Sequence, residues 1–81
     1  MHGALEFTHH AKTMMHERMI QEAWVLATVE NPDIVEDKNN NERHYMKRIP
    51  EKGMRVLRVI VNPTASPPKV ITAFIDRRVH L

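Results

Sequence analysis

The dipeptide Asn31-Pro32 divides this chain into two regimes of hydrophobic pattern, and that division limits the folds open to it more than any other feature. The residue before a proline avoids the helical region of backbone space, so a helix running into Asn31 must stop there. Upstream, apolar residues recur with a helical period. Downstream they alternate, and turn clusters interrupt them. A chain built this way places helices first and strands second, which is an α+β arrangement rather than a βαβ one.

Thr8 is a suitable N-cap for a first helix whose apolar positions Ala11, Met14, Met15 and Met19 follow the period. Gln21 to Glu30 forms a second helix, with Ile20, Trp24 and Ala27 on one stripe. Before them, Ala4-Leu5-Glu6-Phe7 is a candidate short N-terminal strand. After Pro32, Ile34 to Asp37 is a strand, Lys38 to Asn41 a turn, and Arg43 to Ile49 a second strand. Pro50 to Gly53 turns the chain into Met54 to Val61, the most apolar strand and therefore the expected centre of the sheet. A proline-rich loop, Asn62 to Pro68, leads to a last strand, Lys69 to Ile75, and a polar tail. The expectation is one domain over residues 1–81: two N-terminal helices packed on an antiparallel meander of three to four strands.

With 81 residues the chain buries only about 60 to 65% of its unfolded surface, so its core is small. Aromatics make up 5% of the residues and there are six Met, which points to an aliphatic core. The absence of cysteine excludes disulfides and thiolate zinc sites. No charged segment followed by an apolar stretch opens the chain, so a cytoplasmic protein with no membrane span is expected. The formal charge of +2 is too small by itself to imply nucleic acid, although protonating all six His would add six further charges.

The segments Phe7-Thr8-x-His10-Ala11, Glu17-Arg18-x-Ile20, Glu30-Asn31-Pro32-Asp33, Arg43-x-Tyr45 and Val70-Ile71-Thr72-Ala73-Phe74 occur in an order that resembles a small bacterial family of domains of unknown function, grouped with RelE/ParE-like and BrnT-like toxins. The resemblance implies a RelE-like sheet with two helices on one side, in a superfold whose enzymatic members are metal-independent ribonucleases. It also implies RNA as a candidate partner, together with an antitoxin-like protein or a second copy. The chain departs from the pattern at Met14, where such proteins often carry Arg, and at Met19, where a Gly often breaks the two helices. A left-handed Met is disfavoured, so Met19 marks the break between the two helices less firmly than a Gly would.

Ribonuclease chemistry without metal needs a base, an acid and cations that hold charge on the phosphorane-like transition state. His10, at a helix start, has the side chain for acid-base work, with Arg58 and Thr72 as anion contacts in the same catalytic set. Arg58 interrupts an apolar strand, and a charge there must be paired or reach a cleft. Arg18, Arg43, Tyr45 and Lys47 are the candidate substrate contacts. Arg18 lies two helical turns from His10, roughly 12 Å of rise, so an ion pair is its competing role. Alternation puts Arg43, Tyr45 and Lys47 on one strand face and His44 with Arg48 on the other. No His pair has the i, i+4 spacing of a zinc-binding helix and no glycine-rich phosphate loop is present, so neither a metal nor a cofactor is expected. The rival to ribonuclease chemistry is a non-catalytic interaction module working through a sheet edge or a Met-rich helix face.

Overall fold

A computed structural model describes residues 5–39 and 41–81. Ala4 of the expected first strand and Asn40 of the expected turn lie outside the described residues. Seven elements of regular structure follow one another: β1 (Glu6–Phe7), α1 (His9–Glu17), α2 (Glu22–Glu30), β2 (Ile34–Asn39), β3 (Glu42–Ile49), β4 (Arg55–Asn62) and β5 (Lys69–Ile75). A short 3-10 turn, Pro50–Lys52, joins β3 to β4.

The strands form one five-stranded sheet in the order β1-β5-β4-β3-β2, with β4 at its centre as the apolar run predicts. The expectation of an antiparallel sheet of three to four strands is corrected here. β1 pairs in parallel with β5, through Glu6↔Lys69 and Phe7↔Val70, and makes the sheet mixed. A two-residue strand is too short to carry an alternating signature. It is held by backbone bonds from Glu6 N–H to the Pro68 carbonyl (2.9 Å) and from Thr8 N–H to the Val70 carbonyl (3.1 Å).

Thr8 then starts α1: its hydroxyl oxygen accepts from the Ala11 N–H at 3.0 Å and donates to the Ile71 carbonyl at 3.3 Å. One side chain thus caps the helix and ties it to β5. The break after α1 falls at Met19, which adopts φ 57° against the preference of its residue type. Met19 N–H bonds the His16 carbonyl (3.2 Å) and Ile20 N–H bonds the Met15 carbonyl (2.8 Å), the two bonds of a Schellman motif. The accompanying apolar contact is present as well, since Met15 and Ile20 are both buried in the same core cluster. Burying Ile20 and satisfying two carbonyls offset a left-handed methionine.

Both helices pack on one side of the sheet. Ala11 and Met15 of α1 and Val25 of α2 meet Leu57, Val59, Val61, Val70 and Ala73. The cross-strand pairs His44↔Ile60, Ile60↔Thr72, Met46↔Arg58 and Arg58↔Phe74 therefore lie on the side without helices. A bulge between Ile60 and Val61 of β4, opposite Ile71, shifts the register of β5 by one residue. It places Thr72 and Phe74 on the helix-free side and Ala73 in the core. No helix among the described residues is long and apolar enough to cross a membrane.

Candidate functional site

Two charged assemblies stand out, one on the helix-free side and one at the end of the sheet, and they differ in how completely their cations are matched. The first is centred on Arg58. Its Nε donates to Asp76 Oδ2 at 2.9 Å, one terminal nitrogen donates to His44 Nδ1 at 2.8 Å, and that nitrogen lies 3.7 Å from Glu36. A guanidinium has only donors, so His44 Nδ1 must be unprotonated where it faces Arg58, and Nε2 carries the proton offered to Glu42 at 3.2 Å. Asp76 is buried, and its oxygens also accept from the backbone N–H and side chain of Arg78. Those bonds, with the Arg58 contact, hold the Asp76 carboxyl below its usual range although burial pushes it up.

Arg58 is thus a matched charge, fulfilling the first of the two alternatives open to a cation on an apolar strand. His44 has both ring nitrogens engaged and offers no lone pair to a substrate.

The second assembly lies where β3 ends, β4 begins and the chain leaves β5. A cleft of about 340 Å³ opens there, with Arg48, Arg55, Arg77 and His80 on its polar side together with Asp76, whose carboxylate is already held by Arg58 and Arg78. Met54, Val56, Val79 and Leu81 supply its apolar wall. Among the described residues, the side chains of Arg48, Arg55 and Arg77 have no ion pair or side-chain hydrogen bond, whereas Arg43, Arg58 and Arg78 each hold a carboxylate. The cleft forms because three chain segments reach one end of the sheet together. The turn between the first two contains Gly53 and Met54 in succession at positive φ, 65° and 63°.

The catalytic candidates are not gathered at one place. His10 is exposed in the first turn of α1, on the helix side, while Arg58 and Thr72 are on the other side with the sheet between. Arg18, expected as a phosphate clamp or an ion-pair partner, reaches round the edge of β5 and donates to the Ala73 carbonyl at 2.9 Å and to the Thr72 hydroxyl at 3.4 Å. Its guanidinium also lies 5.9 Å from the centre of the Phe74 ring. Thr72 is therefore a partner of Arg18.

Arg43, Tyr45 and Lys47 alternate to the helix side and are occupied. Arg43 donates to Asp37 at 2.6 Å, and its hydrogen bonds to Asp37 and Tyr45 raise its pKa further. Tyr45 packs against the core, and Lys47 donates to the Asn31 carbonyl at 3.0 Å. The cleft arginines missing from the sequence-based set are Arg48, Arg55 and Arg77. Alternation sets Arg48 on the strand face away from Arg43, Tyr45 and Lys47, whereas Arg77 stands past the end of β5, where alternation assigns no face.

Among the described residues, no group of three or more His, Asp or Glu is arranged to hold a metal ion. Residues 7–75 match the sequence pattern of a domain of unknown function (DUF4258). No curated protein and no solved structure matches the chain.

Proposed function

We propose that this chain, which belongs to the DUF4258 family, is a small RNA-binding domain that holds phosphate in the arginine cleft at the end of its sheet. The observation that carries this reading is the unequal matching of arginines: three without counterions line one concavity, whose carboxylate, Asp76, is already held by Arg58 and Arg78, while the arginines elsewhere on the sheet are paired. Guanidinium groups free of carboxylates keep their donors for phosphate oxygens. The modest net charge limits the strength of such binding but not its location.

Fluorescence anisotropy of a labelled single-stranded RNA across a salt series tests the proposal. Affinity should fall steeply as salt rises, with a shallower slope after Arg48→Gln, Arg55→Gln and Arg77→Gln are combined. Salt-independent binding, or a triple variant indistinguishable from the parent, would refute it.

The toxin-type ribonuclease suggested by the motif order is the catalytic extension of this reading. With the sheet between His10 and Arg58, the RNA-binding reading assigns no cleavage step, and RNA incubated with the protein in EDTA should remain intact. Strands ending in 2′,3′-cyclic phosphate would favour the ribonuclease instead.

A second reading, an interaction module that pairs with its own copy or with an antitoxin-like partner, is favoured by one observation. Met19, at the break before α2, is 75% exposed, and Ala23 on the first turn of α2 is exposed as well. Light scattering that gave a dimer mass unchanged by high salt would support this reading.

A further inference from the structure

The surroundings of the cleft are not uniformly basic. Across the helix-free side from β4 toward β2, the charged side chains after matched Arg58 are the carboxylates Glu42 and Glu36, 43% and 46% exposed, and Lys38, whose charge is already taken by Glu36 at 3.0 Å. Lys38, by hydrogen bond and by charge, holds the Glu36 carboxyl below its usual range, so it stays ionised through neutral pH. A strand laid across this face would carry its phosphates past both carboxylates. Lys12, Lys47 and Lys52 cannot extend a track from the cleft along this face. Lys12 is in α1, Lys47 alternates to the helix side, and Lys52 sits over the Trp24 ring of α2 at 5.8 Å.

The cleft itself has two unlike walls. Its three unmatched guanidinium groups suit a concentrated negative charge, and Met54 (50% exposed) and Leu81 (40% exposed) offer apolar surface beside them. An internal phosphodiester has one charge and two ester arms that must leave in different directions. A phosphomonoester approaches two charges and has a single arm, which carries the sugar and base.

Resting on the RNA-binding reading, we infer that the cleft takes a phosphomonoester on a nucleoside, the phosphorylated end of a strand or a free nucleotide, rather than an internal phosphodiester. The phosphate meets Arg48, Arg55 and Arg77, and the sugar and base lie along Met54, Val56 and Leu81.

Short RNAs of one sequence with a 5′-phosphate, a 3′-phosphate or hydroxyls at both ends, each carrying an internal label, form the test by anisotropy. One phosphorylated form should bind about tenfold or more tightly than the hydroxyl-ended form, and Arg55→Gln or Arg77→Gln should abolish that preference without lowering thermal stability. A nucleoside monophosphate that displaces the phosphorylated RNA at matching concentration assigns the site to free nucleotides. Failure of that competition, with the end preference intact, assigns it to strand ends. Equal affinity for phosphorylated and hydroxyl-ended RNA would overturn the inference and leave the RNA-binding reading standing. Inorganic phosphate competing as well as the nucleotide would also overturn it, because the apolar wall would then contribute nothing. Absence of binding by every RNA would overturn both.

Discussion

Arg58 illustrates how much a single residue type, at a given place in a strand, demands of its surroundings. A cation in Met54 to Val61 had to find a partner or a cleft, and it found Asp76 at 2.9 Å. The requirement was legible in the sequence; the partner was not, because it stands past the end of another strand and meets Arg58 only through the β4–β5 register. Asp76→Asn should cost about 3 kcal/mol at neutral pH by leaving a largely buried guanidinium without its carboxylate. The pH dependence has a definite sign. Asp76 is depressed in the folded state, so its stabilisation is complete above the unfolded carboxyl value, about 3.9, and is lost as pH falls through the folded value. Thermal melts from neutral to acid pH should show the parent losing this contribution in acid and Asp76→Asn lacking it throughout. Equal melting temperatures at neutral pH would contradict the assignment.

At the scale of elements, the helices and four of the strands follow from period, caps and turns, and the departures have local causes. The Thr8 cap was expected, and its second bond, to Ile71, makes it a link between helix and sheet. Thr8→Ala should therefore lower stability by about 1 to 2 kcal/mol in chemical denaturation, at the upper end of a simple cap loss. The break at Met19 is weakly signalled in the sequence, because residue preference argues against a left-handed Met while tertiary burial of Ile20 argues for it, and burial prevails. Met19→Gly should raise stability by about 0.5 to 1 kcal/mol, relieving backbone strain while giving up little burial. A destabilised glycine variant would show that the methionine side chain contributes more than its exposure allows. The short strand at Glu6–Phe7 was expected, but neither its parallel pairing with β5 nor the bulge at Ile71 has a one-dimensional signature, since both depend on what β5 meets across its two edges.

For the whole molecule, the informative quantity is the distribution of matched and unmatched charge. Choosing site residues by type and motif selected Arg18, Arg43, Tyr45, Lys47 and Thr72, all of which serve the fold's own hydrogen bonding or packing. Matching cannot be read from a sequence, because it depends on which strand ends come together. Arg48, Arg55 and Arg77 meet only after β3, β4 and β5 are in register. The helix-side location of His10 likewise follows from which face the helices cover, and the pattern of letters leaves that open.

The most direct test of the arginine cleft is a two-dimensional NMR titration that follows the guanidinium Nε–H signals as single-stranded RNA is added. The cleft account predicts that Arg48, Arg55 and Arg77 shift progressively while Arg43 and Arg58, held by Asp37 and Asp76, stay in place. Shifts confined to Arg18 and the first turn of α1 around His10, with the three cleft arginines unmoved, would contradict it.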